Sequence, residues 1–207
     1  PPGRMNIIQG KNGSTIIDQA QDTLDRDKKA LEQVINRLQT SVDTLSLSWN
    51  QITADVDQIY GLDTYTDAKS KNEIFVSGRS SLVRQQVKDG YTARTQITNR
   101  LNQQKTALIG RPSQAQVEKI QVDMSVIADE MYDFLSLSLR GIDLSITDAT
   151  FTDSILAGYK SRLNTHVSSV SSRISSLQAD KQSLIALQNQ DLLSKNTDIK
   201  SSDNKVT

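Results

Sequence analysis

The side chains that could do chemistry are few and scattered. His166 is the single histidine, and it sits beside Val167 on the flank of an apolar helical stripe. One imidazole cannot assemble a His-based metal cluster, and no His/Glu pair at helical spacing accompanies it. The chain has no cysteine. That removes thiolate nucleophiles, disulfides and Cys-based metal sites, and fits a reducing or an oxidising compartment equally. Serines are frequent, yet none sits in a G-x-S-x-G elbow. No G-x-G-x-x-G or P-loop pattern offers a cradle for phosphates. The acidic pairs Asp25/Asp27, Asp55/Asp57 and Asp129/Glu130 fall on polar faces, where solvated charge is the default and nothing tunes a carboxyl for acid–base work. The expectation is therefore no catalytic, cofactor or metal site, no small-molecule substrate and no enzyme.

Charge adds no partner. Lys plus Arg equals Asp plus Glu at 24 each, so no net field steers the chain to nucleic acid or an anionic surface. Arg79, Arg84, Lys88, Arg94, Arg100, Lys105 and Arg111 make one segment locally basic, but only Tyr91 interleaves as an aromatic. Solvation or an acidic neighbour accounts for such a segment, and nucleic acid is not expected.

The pattern that does stand out concerns architecture. Leu31, Ile35, Leu38, Val42, Leu45, Trp49, Ile52, Val56 and Ile59 follow one another in steps of four and three. Leu24 and Ile17 extend the register backwards. A helix with this seam lays a narrow apolar stripe against a partner. Trp49, the sole tryptophan, reads as a large core residue, with an anchor for a partner helix as the sharper alternative. A second seam runs through Leu156, Leu163, Val170, Leu177 and Leu184 at intervals of seven, with Val167 and Ile174 between. Hydrophobic residues are 36% of the chain and aromatics 4%, a supply suited to thin seams between long helices rather than one thick core.

Taken in order, residues 1–13 are a tag remnant (Pro1–Arg4 ahead of Met5) and an irregular N-terminus. Residues 14–193 form one elongated helical-bundle domain, with helices at about 14–60, 79–109, 113–134 and 151–193. Gly61 stops the first helix, and Ser113 with Gln116 proposes a capping box for the third. There Val117, Ile120, Met124, Ile127, Met131 and Phe134 form another stripe, the methionines as core filler. Glu73–Ser77 is a short β-prone run. Residues 194–207 are polar and frayed. The fold class is all-α: an elongated antiparallel helical bundle or coiled coil of about four long helices.

Residues 135–146 admit two readings. Leu135, Leu137, Leu139, Ile142, Leu144 and Ile146 alternate with polar residues around Arg140-Gly141, as in a β-hairpin, for which Ile74-Phe75-Val76 could supply a third strand. The other reading is that the third helix simply continues, since Met131, Phe134, Leu135 and Ile142 share a helical face.

Three functions follow. The first is a non-enzymatic scaffold or assembly subunit that binds a protein partner, or a second copy of itself, through its long helices. The second is a membrane-active protein with Leu135 to Ile146 as an apolar tip. Here Leu38 to Ile52 (LQTSVDTLSLSWNQI) resembles the long helices of pore-forming toxins of the ClyA and haemolysin BL type. The likeness covers under a fifth of the chain, and that family's apolar hairpin precedes the equivalent helix, whereas here the apolar stretch follows it. The third is a bacterial secreted filament or secretion-tip subunit. No charged segment precedes an apolar run and no window nears the roughly 18–20 apolar residues of a spanning helix. A soluble chain is expected, cytoplasmic or exported without a cleavable signal peptide.

Overall fold

The computed structural model describes residues 16–63, 74–110 and 112–203, with side-chain surroundings for 24–63, 74–110 and 112–190. The expected irregular N-terminus at 1–13 lies outside the described residues, as does the side chain of Ile17. The chain folds as α1 (Ile16–Tyr60), α2 (Ser81–Thr92), α3 (Arg94–Ile109), α4 (Gln114–Asp143) and α5 (Asp153–Asp203). There is no strand among the described residues. It is an all-helical protein of long helices packed against one another, as expected.

The helix ends are set locally. Gly61 has a φ of 64°, the left-handed conformation that glycine adopts without penalty. Its N–H donates to the Asp57 carbonyl (2.7 Å). The Asp57 carboxylate then accepts from the N–H groups of Leu62 (3.0 Å) and Asp63 (2.6 Å). At α4 the capping box forms: Gln116 Oε1 accepts from the Ser113 N–H (2.8 Å). The start of α5 is organised by Asp148, whose carboxylate accepts from the N–H groups of Thr150 and Phe151 (2.7 Å each). These hydrogen bonds favour the ionised form, so the Asp148 carboxyl is held below its ordinary pKa.

The expected second helix is two. α2 ends at Thr92, and Ala93 (φ −76°, ψ −1°) separates it from α3. Two side chains hold the break: Trp49 Nε1 donates to the Arg94 carbonyl (3.1 Å), and Arg94 donates to the Tyr91 carbonyl (3.1 Å). The fourth helix continues ten residues beyond the expected end at 193, to Asp203.

The β-hairpin does not form: α4 runs on to Asp143. Phe134, Leu135, Ser138, Gly141 and Ile142 are buried together, the three-four spacing of one helical face. The serines that mimic a strand's wet side are partly core. The Ser138 hydroxyl donates to the Phe134 carbonyl four residues back (2.8 Å), so its burial leaves no polar group unpaired. Gly141 is a close-approach residue and not a turn, because a Cβ there would lie 2.1 Å from the Tyr60 phenol oxygen. Residues 74–76 are no third strand either. They begin a strap of helical turn and tight turns that does meet the end of α4, through Arg79 N–H to the Leu144 carbonyl (2.9 Å) and Ile146 N–H to the Phe75 carbonyl (2.9 Å).

The contacts divide the chain into two compact units: residues 38–181, and residues 1–37 with 182–207. The larger is an antiparallel four-helix bundle. α1 runs against α3 (Asp43–Lys105, 2.6 Å; Gln39–Leu108, 3.4 Å). α3 runs against α4 (Gln104–Asp123, 3.3 Å; Arg100–Glu130, 2.6 Å). α4 runs against α5 (Lys160–Asp143, 2.6 Å; Gln121–Leu177, 3.0 Å). α5 closes on α1 (Asp55–His166, 2.7 Å; Gln58–Arg162, 2.7 Å). Its core is Trp49, edge-on to Phe134 at 5.5 Å, with the aliphatic stripes of all four arms. Among the described residues the smaller unit consists of α1 and α5, side by side, around buried Val34, Leu184 and Leu187.

Candidate functional site

Three places hold the residues singled out by the sequence. The first is the seam of α1. Leu38, Val42, Leu45, Trp49, Ile52, Val56 and Ile59 are at most 1% exposed; the larger unit's own helices enclose them. Each full burial of such a side chain stabilises the fold by about 1.5–3 kcal/mol. Leu31 and Ile35, in the two-helix unit, are only half-buried, and Leu24 is 48% exposed. On α5, Leu184 is buried beside an exposed Ile185. A shallow groove in the same unit has Ala30, Val34, Ala186 and Leu187 for its floor and Arg26, Arg37 and Gln190 on its rim.

The second place is the end of the bundle where a tip was expected. The six residues do not share a face. Leu135 and Ile142 are buried, Leu137, Leu139 and Leu144 half-buried, and only Ile146 is exposed. Helical geometry distributes alternating leucines around the axis, where a strand would align them. Ile146 does gain apolar company from the strap. Ile146 packs over Gly78, where a Cβ would meet its Cδ1 at 2.8 Å and the Ile74 carbonyl at 2.9 Å, and Ile74 is 71% exposed; Leu82, in the first turn of α2, is 68% exposed. The sequence concealed Ile74 and Leu82 inside a β-prone run and a helix start.

Beneath this surface lies a buried polar knot. The Tyr60 hydroxyl donates to the Ser138 carbonyl (2.6 Å), and burial pushes its pKa well up. The Ser77 N–H donates to the Ser145 hydroxyl (3.1 Å), which in turn donates to the Gly141 carbonyl (3.1 Å). Ser77 stands at a φ of 57°, a left-handed conformation that costs a non-glycine residue about 1 kcal/mol. Its hydroxyl is buried next to the phenol and lacks the alignment of a hydrogen bond. The knot fastens the strap to α4.

The third place is His166. The ring was expected to be an ordinary flanking residue, and Asp55 a solvated acid. Instead His166 Nε2 lies 2.7 Å from Asp55 Oδ2, and Arg162 takes Oδ1 at 3.1 Å. A groove of about 460 Å³ beside them is lined by Gln51, Ala54 and Thr165 as well. A carboxylate-oriented imidazole is half of a nucleophilic constellation. The other half is not beside it: the Thr165 hydroxyl donates to the Ser161 carbonyl (3.1 Å), and Arg162 already holds the carboxylate. The cluster is a tie between α1 and α5. Its signal in the sequence was that both residues flank apolar stripes, 111 residues apart.

Several of the other charges singled out by the sequence are engaged. Asp57 caps α1, Glu130 meets Arg100, and Arg94 meets Asp63 at 2.5 Å. Three cations of the basic segment, Arg94, Arg100 and Lys105, thus face carboxylates, as the charge balance suggested. Among the described residues no three His, Asp or Glu side chains converge on a metal position, and no helix is long and apolar enough to cross a membrane. No family model, curated protein or solved structure matches the chain.

Proposed function

We propose that the chain is a non-enzymatic assembly subunit or scaffold that works by protein–protein contact, and that its docking surface is the two-helix unit. The observation that carries this is the change in burial along one stripe. From Leu38 to Ile59 the stripe is closed by the chain's own helices and offers nothing to a partner. At Ile35 and Leu31 it is half-buried, and at Leu24 it is exposed. An apolar stripe with one neighbouring helix suits the addition of further helices.

The test is the thermal stability of the dilute full-length chain with Leu31→Gln and Ile35→Gln. If the stripe awaits a partner, each change lowers stability by no more than about 1 kcal/mol. Losses of about 2–5 kcal/mol, the cost of a closed core position, would mean that the stripe is already closed within the chain.

A second reading has its own support. Ile74 and Ile146 meet at Gly78 as exposed apolar residues at one end of the bundle, exposed Leu82 follows in the first turn of α2, and Arg79 is exposed, a composition suited to a lipid surface. Co-sedimentation with anionic liposomes that Ile74→Asp and Leu82→Asp abolish would support it. Absence of binding by the wild-type chain would discard it.

A further inference from the structure

We infer that the occupant of this docking surface is a second copy of the same unit, two α1/α5 pairs meeting about a two-fold axis to complete four helices. The inference rests on the reading that the stripe is a docking face. It names the partner from three observations.

The first is what closes the stripe elsewhere in the chain. In the larger unit the seams of α1 and α5 are fully buried at Leu38, Leu45, Leu163 and Leu177, covered by the other helices of the bundle, in which α3 and α4 form an antiparallel hairpin. The smaller unit contains no such hairpin among the described residues, since α2, α3 and α4 all belong to the larger one. A second α1/α5 pair brings two helices in one piece, with an open stripe of its own. One contact then closes both stripes.

The second is charge. Between Leu24 and Arg37, α1 carries Asp25, Asp27 and Glu32 interspersed with Arg26, Lys28 and Lys29, while α5 from 182 to 190 carries none. A rim of both signs selects neither an acidic nor a basic partner. Crossed with itself about a two-fold, it can set unlike charges opposite one another.

The third is the shape of the apolar surface. Leu24, Leu31 and Ile35 recur at seven and four residues along about three turns of helix, the footprint of another helix.

Sedimentation equilibrium of the full-length chain, from about 1 to about 100 μM, the range in which small interfaces dissociate, tests the inference. The expected result is a monomer–dimer equilibrium without larger species. Leu31→Gln with Ile35→Gln should raise the dimer Kd at least about tenfold, whereas Val122→Gln, at an exposed position of α4, should leave it unchanged. Should the double variant fail to fold by circular dichroism, Leu24→Gln at the more exposed position serves in its place. A monomer throughout, with stability unmoved by the stripe substitutions, would overturn the second copy and leave the docking face standing. A monomer destabilised by them would overturn both. A dimer indifferent to these substitutions would overturn the inference as well.

Discussion

The two units are built on the same two helices and differ in how completely those helices are covered. In the larger one, α1 and α5 are enclosed by the bundle's other helices, and every seam position from Leu38 to Ile59 is dry. In the smaller one, among the described residues, the same helices have each other as neighbours: Val34, beside the seam, is buried, while Leu31 and Ile35 of the seam are half-buried. The apolar register of α1 runs through both, in steps of four and three from Leu31 to Ile59 and of seven from Leu31 back to Leu24. Periodicity therefore shows which side of a helix wants cover, and the count of neighbouring helices determines whether it has it.

Substitutions can break this contrast, beginning in the larger unit. Trp49→Ala removes the ring that packs on Phe134 and the N–H that holds the Arg94 carbonyl at the α2–α3 break. It should lower unfolding free energy by about 3–5 kcal/mol, read by denaturant titration. Gly141→Ala should follow. Its methyl group would overlap the Tyr60 phenol and crowd Ser77, whose Oγ lies 2.5 Å from the new Cβ. A loss of about 2–3 kcal/mol should come with faster amide exchange at Ser77 and Arg79 as the strap lifts.

Alkali gives a third, graded loss confined to the larger unit. The Tyr91 phenol is pushed up to about 12 by burial, reinforced by Asp57, and Tyr60 is raised further, also by burial. Both are raised above the unfolded value near 10. Their neutral forms therefore contribute stability that is intact below about pH 10 and is lost as pH rises through the folded values. Tyr91→Phe should flatten the decline between about pH 10 and 12. An equal decline in that variant would assign the alkaline loss elsewhere. The smallest effect is expected in the two-helix unit, where Leu31→Gln in the dilute chain should lose no more than about 1 kcal/mol.

What the sequence made legible was local or periodic. Gly61 as a stop, Ser113 with Gln116 as a start, and the stripe of α4 each need only neighbours within a turn or two. What it concealed depends on distant contacts. Leu135 to Ile146 alternate as a strand would, because nothing nearby shows that Ser138 can satisfy its hydroxyl within the helix, or that Gly141 must be small to admit Tyr60. The break at Ala93 requires Trp49, 45 residues before Arg94, to reach its carbonyl. His166 and Asp55 each looked like a flanking polar residue because their meeting is a property of how α1 and α5 pair. The openness of Leu31 and Ile35 was hidden for the same reason, since burial depends on how many helices stand alongside.

The central claim is that one stripe is closed in the larger unit and open in the smaller. Native-state hydrogen exchange along α1, followed at several protein concentrations, tests it most directly. Amides from 38 to 59 should exchange only by global unfolding and show no concentration dependence. Those from 24 to 37 should exchange by easier local opening and become more protected as concentration rises. Uniform protection along α1, unchanged by concentration, would contradict the account.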